Sequence, residues 1–170
     1  VSLLVGIYHN PLLEIQLGTV AYPPQIGGNI SKIVNVTIPL EPVPKGRPRF
    51  NVHYNYVSTH TPPKTKKFEQ DVALFYIQSN SPKFEQGTPI SVTIEFGMAI
   101  PKSTTKKRKS AMLQGLIQHT VKPDLDNLTK AILDALNDLA WHDDAQIVEL
   151  HACKVYTESP YIQISIKKIE

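Results

Sequence analysis

Asp124, Asp126, Asp134, Asp138, Asp143 and Asp144 lie within 21 residues, and no glutamate interrupts them. The first two stand in the run Lys122-Pro123-Asp124-Leu125-Asp126-Asn127-Leu128-Thr129-Lys130. Pro123 biases Lys122 toward extended backbone. If Asp124 is also extended as the chain enters a helix, it and Asp126 point to one side. The positive end of that helix favours carboxylates, and Lys130 is a helical neighbour of Asp126. Two readings compete. Asp is a preferred N-cap, so one carboxylate could simply satisfy orphan N–H groups, and an exposed Asp126–Lys130 pair adds well under ~1 kcal/mol. The sharper reading adds Asp143 and Asp144. If the chain returns one of them to the helix start, carboxylates ~5 Å apart at an effective dielectric of ~20 repel by roughly 3 kcal/mol. Three such groups require a cation, and hard oxygen ligands select Mg²⁺ or Mn²⁺. The chemistry would be phosphoryl transfer to water. Spacing leaves both readings open.

Bases are concentrated around this chemistry. Lys45, Arg47, Arg49, Lys64, Lys66 and Lys67 fall between Val43 and Phe68 with no acid among them. Lys102, Lys106, Lys107, Arg108, Lys109 and Lys122 fall between Pro101 and Pro123, again without an acid. One such run reads as a solvated loop. Two of them beside an aspartate cluster fit a polyanion held by one region and worked on by another. Other chemistries find little support. His53 and His60, or His151 with Cys153, lack zinc-site spacing, and neither a phosphate-binding G-x-x-x-x-G-K-[ST] loop nor a G-x-S-x-G elbow occurs. A nucleotide cofactor is therefore not expected. Trp141 reads first as a hydrophobic anchor at a helix end, with base stacking as the lesser reading. Tyr54 and Tyr56, near Arg47 and Arg49, fit stacking or hairpin packing equally well.

The elements that must position these residues follow from periodicity. Residues 33–38 alternate as a strand. Pro39, Pro42, Pro44 and Pro48 then exclude helix and central strand, leaving the extended basic loop PVPKGRPRF, where Gly46 allows a close backbone approach. Residues 65–79 form a helix stripe through Phe68, Val72, Phe75 and Tyr76. Residues 88–100 alternate as a long strand, and a short helix fits 104–113. Residues 125–139 carry Leu125, Leu128, Ile132, Ala135, Leu136 and Leu139 on one continuous helical face. Strands follow at 146–155 and over Ile162, Ile164 and Ile166, with Glu158-Ser159-Pro160 predicting a hairpin between them. The order β-α-β-(α)-α-β-β predicts an α+β fold: a single domain with a mixed β-sheet and helices packed on one face.

A chain of 170 residues, 41% hydrophobic and 19% charged, has the size and composition of one globular domain. Its net charge of +3 alone favours no partner. One cysteine cannot form an internal disulfide, and a reducing compartment is the simpler expectation. No apolar run approaches bilayer length, so no membrane partner is expected. Residues 1–32, with turn-rich Pro23-Pro24 and Gly27-Gly28 and alternating Leu13, Ile15 and Leu17, read as an amino-terminal extension to which no role is assigned. Residues 33–170 carry the elements above.

The segment KPDLDNLTKAILDALNDLAWHDDAQIVEL closely resembles the signature of RusA-type Holliday-junction resolvases, many of them encoded by phages and prophages. PVPKGRPRF and TPPKTKKFEQ also resemble the amino-terminal half of phage members. The likeness covers residues 33–169, and the long DLDN-x-x-K-A…D-A-L…W-x-D-D-x-Q pattern is specific. The resemblance implies a small homodimeric α/β endonuclease that binds four-way junctions in branched DNA and cuts two strands of like polarity with Mg²⁺, for which Mn²⁺ can substitute. It maps the essential aspartates onto Asp124, Asp126 and Asp144, as catalytic residues and metal ligands, and the important lysine onto Lys130. Asp134 matches the acid of the D-A-L step. The turn Asn137-Asp138-Leu139-Ala140 is one residue shorter than in the founding member, which leaves Asp143 as an alternative or assisting ligand. Lys45, Arg47, Arg49, Lys64, Lys66, Lys67, Lys106, Lys107, Arg108 and Lys109 are the expected DNA contacts. The expected setting is the cytoplasm of a bacterial or phage-infected cell, in recombination, repair or phage DNA processing. A non-cutting junction-binding architectural protein and a general branched-DNA nuclease stay open as alternatives.

Overall fold

The computed structural model describes residues 33–47, 49–53 and 56–169. The extension expected over residues 1–32 lies outside them, as does Tyr54. Strand β1 (Ile33–Ile38) buries Val34, Val36 and Ile38 and exposes Ile33, Asn35 and Thr37, the pattern of a strand with one face on a core. After the proline-rich loop comes an antiparallel hairpin, β2 (Arg49–His53) and β3 (Tyr56–His60), which the expected order lacks. Helix α1 (Pro63–Gln78) begins on a proline, whose missing N–H costs nothing in a first turn, and buries Thr65, Phe68, Val72 and Tyr76. Strand β4 (Ile90–Ala99) and helix α2 (Lys106–Leu113) follow.

Helix α3 (Leu125–Leu136) ends three residues before its apolar stripe does. Asp138 takes a left-handed φ of 61°, and Asn137 bridges to Trp141. Ala140 and Trp141 still reach the core, but through this turn rather than through more helix. Leu128, Ile132 and Leu136 are fully buried, at roughly 1.5–3 kcal/mol each. That sum fixes the rotation of α3 and turns Asp126, Lys130 and Asp134 to the opposite side.

The sheet has the order β1-β6-β4-β5, with β5 (Ile147–Thr157) parallel to β4, and β6 (Tyr161–Lys168) antiparallel to both β4 and β1. The mixed α+β fold is as expected; the terminal hairpin is not. Although only three residues join them, β5 and β6 lie on either side of β4. The connection crosses the end of β4, where the Ile100 N–H donates to the Thr157 carbonyl at 3.2 Å and the Tyr161 ring lies over Gly97. A Cβ at Gly97 would sit 2.5 Å from that ring, so the crossing requires glycine there. β6 thereby carries one ladder to β4 and one to β1, which pairs its backbone groups on both edges.

Helices α1 and α3 pack on each other, and their apolar stripes meet Ile90, Val92, Ile94 and Phe96 of β4 and Ile162, Ile164 and Ile166 of β6 in one core. Thr37, Thr93 and Gln163 on the other sheet face are exposed. Pairing between β4 and β5 slips between Ile90 and Ser91, leaving Val148 opposite neither. That bulge directly follows the Asp143-Asp144 turn, a common placement beside functional sites.

Candidate active site

The chain enters α3 through Asp124, whose φ of −71° and ψ of 141° are extended, as two aspartates aimed to one side require. The Asp124 carbonyl accepts from the Leu128 N–H at 3.2 Å, but its carboxylate makes no capping bond. The capping alternative therefore does not describe Asp124. Asp126 is exposed in the first turn. Among the described residues neither carboxylate has an ion-pair partner.

Lys130 does not turn back to Asp126. Its Nζ lies 2.6 Å from Asp134 Oδ1, one helical turn further on, and 3.8 Å from Asp144 Oδ2. The other Asp134 oxygen is held at 2.6 Å by Lys45 Nζ, which also donates to Glu69 Oε1 at 2.5 Å. Charges thus alternate through Glu69, Lys45, Asp134, Lys130 and Asp144, linking α1, the proline-rich loop, α3 and the Asp-Asp turn. Burial works against the Asp134 carboxylate, but the bonds from Lys130 and Lys45 outweigh it and hold its pKa below the usual value. The Lys130 pKa is raised, first by its bond to Asp134 and then, against some desolvation, by the charges of Asp134 and Asp144. Lys130 is a fixed, fully charged cation beside Asp144.

The loop that carries Lys45 is seated by backbone contacts. The Lys45 N–H donates to the Asn127 carbonyl at 2.8 Å, and the Gly46 N–H donates to Thr65 Oγ1 at 3.2 Å. A Cβ at Gly46 would meet Pro62 at 2.9 Å, so the close approach expected of this glycine is present.

Asp143 and Asp144 differ in what they bind. Asp143 Oδ1 accepts from the Ala145 N–H at 2.7 Å, capping the 3-10 turn Asp144–Gln146. Asp144 Oδ1 accepts from the indole N–H of Trp141 at 2.9 Å, which leaves Oδ2 on the Lys130 side. Trp141 is fully buried, so it anchors the turn and is no stacking platform. Gln146 pins the turn from behind. Its Oε1 accepts from the N–H groups of His142 (2.8 Å) and Asp143 (3.3 Å), and its Nε2 donates to the carbonyls of Glu85 (2.8 Å) and Thr88 (3.1 Å).

The basic residues fall into two groups. Lys45 is drawn inward onto two carboxylates. Arg47 is exposed, and Arg49 opens β2. Lys64, Lys66 and Lys67 occupy the first turn of α1, and Lys106, Lys107, Arg108 and Lys109 the first turn of α2, with no acid in either turn. Cations at a helix N-terminus oppose the dipole by about 0.3–1 kcal/mol each. Lys67 pairs with Asp71 and Lys109 with Glu158. The others remain directed to solvent at helix ends that already favour anions.

Among the described residues no three His, Cys, Asp or Glu side chains gather closely enough to hold a metal ion as they stand. The donor chemistry around Lys130 nonetheless fits a hard divalent cation: Asp124 and Asp126 offer unpaired carboxylates, and Asp144 offers one oxygen. A groove of about 640 Å³ is lined by Asp126 and Lys130 together with Leu125, Thr129, Leu133, Leu150 and Ala152.

The family Endodeoxyribonuclease RusA matches residues 39–167. The chain belongs to the RusA endodeoxyribonuclease family. It is 37% identical to the uncharacterized protein YqaN of Bacillus subtilis (strain 168) over 138 residues, covering 80% of this chain and 96% of that protein. It is 36% identical over 96 residues to the crossover junction endodeoxyribonuclease rusA of Lactococcus phage r1t, covering 55% of this chain and 66% of the phage protein.

Within this RusA-family chain, sequence reasoning missed the tasks of three residues. Gln146 closes the D-D-x-Q pattern, and its four hydrogen bonds give that spacing a physical basis. Asp134 is the hub between two lysines. Lys154, on β5, reaches the segment that leads to Asp124.

Proposed function

We propose that this RusA-family chain is a divalent-cation-dependent endodeoxyribonuclease that resolves four-way DNA junctions by paired phosphodiester hydrolysis. The observation that carries this reading is the division of labour among the acids. Among the described residues the Asp124 and Asp126 carboxylates have no capping bond or ion pair, while Asp144 is held by Trp141 with its other oxygen 3.8 Å from Lys130 Nζ. A pure DNA-binding protein has no use for bare carboxylates, which repel phosphate.

Asp124, Asp126 and Asp144 would hold Mg²⁺ or Mn²⁺, and Asp143, engaged in its cap, would assist at most from outside. The bound ion supplies positive charge at the scissile phosphate and acidifies water. Lys130 meets the charge developing on phosphate oxygen with a fixed ammonium. Arg47, Arg49, Lys64, Lys66, Lys67, Lys106, Lys107, Arg108 and Lys109 bind phosphates of the junction arms, with affinity that falls steeply as salt rises. Lys45 acts chiefly by holding Asp134. A homodimer suits the substrate, since a two-fold axis places two sites for two nicks. Residues 33–170 form the nuclease domain and 1–32 an extension to it. Among the described residues no helix is long and apolar enough to cross a membrane. The setting proposed for its action on DNA is the bacterial or phage-infected cytoplasm.

The test uses labelled four-way junction and matched linear duplex, with and without Mg²⁺, for the wild type and Asp126→Asn. Paired nicks in the junction alone, dependent on Mg²⁺ and lost in Asp126→Asn with junction binding retained, are expected. Binding without cutting would leave an architectural protein, and equal cutting of flaps and forks a general branched-DNA nuclease. A sedimentation mass near that of one 19.0 kDa chain at micromolar concentration would overturn the dimer.

A further inference from the structure

We infer that Lys154 is a positioning residue that sets where Asp124 stands, an inference that rests on the active site proposed above. Between α2 and α3 the chain runs without regular secondary structure from Gly115 to Asp124. A segment of that kind has no ladder of its own to fix its course. Lys154 on β5 supplies one from outside. Its Nζ donates to the Val121 carbonyl at 3.0 Å and to the Pro123 carbonyl at 2.8 Å, the latter belonging to the residue immediately before Asp124. Among the described residues Lys154 has no ion-pair partner, so its charge is directed at these two carbonyls. Charge-assisted bonds of this kind are shorter and stronger than neutral ones.

The anchor of the clamp belongs to the sheet. Lys154 lies on β5, opposite Phe96 in the parallel pairing with β4, one of the two inner strands. Asp124 is therefore held from two sides, by the sheet through the Pro123 carbonyl and by α3 through the Leu128 N–H, whereas Asp126 and Lys130 take their places from α3 alone. His119, in the same segment, is buried against Tyr156 with ring centroids 4.8 Å apart, a second fastening of the segment to β5. Burial, and then the charge of Lys154, keep the His119 imidazole below its usual pKa. It stays neutral at pH 7 and adds no second cation beside the clamp. Reacting groups misplaced by about 1 Å can cost on the order of a hundredfold in rate, so a clamp one residue from Asp124 bears on catalysis without touching DNA.

The experiment compares the full chain with Lys154→Met and Lys154→Arg. Three quantities are read for each: single-turnover kcat on saturating junction, junction Kd without divalent cation, and the half-saturating Mg²⁺ concentration. Hydrogen exchange over residues 116–124 is followed in parallel. For Lys154→Met we expect kcat to fall on the order of ten- to a hundredfold and the Mg²⁺ requirement to rise. Its Kd should stay within twofold, exchange over 116–124 should accelerate, and β4 should remain protected. Lys154→Arg, which keeps a charged donor, recovers part of kcat. Weakened junction binding at unchanged kcat would make Lys154 a DNA contact and overturn the inference. Wild-type kcat and Mg²⁺ dependence in Lys154→Met would overturn it as well. If the wild type cuts no junction, the functional reading fails, and the clamp stands or falls on exchange alone.

Discussion

Replacing Asp134 with Asn removes the charge that Lys45 and Lys130 each hold at 2.6 Å. With charges ~4 Å apart and an effective dielectric of ~20, each attraction is about 4 kcal/mol before desolvation and side-chain entropy are subtracted. Exposed pairs retain at most about 1 kcal/mol after that subtraction. Asp134 and Lys45 are each 24% exposed and Lys130 is 56% exposed, so the two pairs together fall at about 1–2 kcal/mol. Neither lysine is orphaned, because Lys45 keeps Glu69 and Lys130 keeps Asp144. The chain therefore folds. Lys130 is then drawn toward Asp144 without the opposing hold of Asp134, and the alignment beside the aspartates is lost. Partners that orient catalytic groups are worth on the order of 10–100-fold in activity, which is about 1.4–2.8 kcal/mol on the barrier. Urea denaturation gives the stability term, and single-turnover cleavage of a four-way junction by fully folded protein gives the catalytic one. Cleavage within twofold of wild type, alongside the expected stability loss, would refute a role for Asp134 in placing Lys130. An unchanged urea midpoint would refute the electrostatic part.

The same network has a signed pH dependence. The Asp134 pKa is lowered, despite burial, by its lysine bonds, so its stabilisation is complete above the ordinary value of 3.8 and is lost as pH falls through the lower folded value. Desolvation opposes the Lys45 charge, but Asp134 and Glu69 outweigh it and raise its pKa, so its share is lost only as pH rises through a value above 10.5. The stability gap between wild type and Asp134→Asn should stay level from about pH 5 to 9 and close in acid, as read by denaturant titrations at each pH. Gln146→Leu should cost about 1–3 kcal/mol, since it takes the partner from part-buried N–H groups of His142 and Asp143 and carbonyls of Glu85 and Thr88. Calorimetry will read that loss, and cleavage should fall further than stability because Asp144 loses its support. Lys106→Ser with Lys107→Ser should raise the melting temperature slightly by relieving the α2 dipole. It should also weaken junction binding and flatten its salt dependence by about one to two units of log–log slope, as measured by fluorescence anisotropy.

What could be read without coordinates was local. β1 matches its alternation residue for residue, since one buried face leaves no freedom of register. The stripe on α3 located the buried face correctly but overran the helix, because Leu139 packs on the core from the turn that follows it; periodicity reports burial, not hydrogen bonding. The β5–β6 hairpin was a sound local inference from a three-residue connection, and it lost to the two ladders that β6 forms with distant strands. Lys130 had an acid four residues away in each direction. In space Lys130 meets Asp134, which Lys45, 85 residues earlier in the chain, also holds, a meeting that no helical spacing could reveal. Asp143 and Asp144 are adjacent and chemically identical in sequence; in space the Ala145 N–H engages the first, and the Trp141 indole and Lys130 the second.

The order β1-β6-β4-β5 makes the last strand the sole bridge between β1 and the rest of the sheet. Every residue of the proposed catalytic set precedes it, yet a chain ended at Thr157 would be no smaller nuclease. Among the described strands it would open one edge on β1 and one on β4, whose Ile90, Val92, Ile94 and Phe96 are fully buried, the kind of surface that recruits other chains. During synthesis those edges stay unpaired until β6 emerges, so aggregation and chaperone capture compete with folding until then.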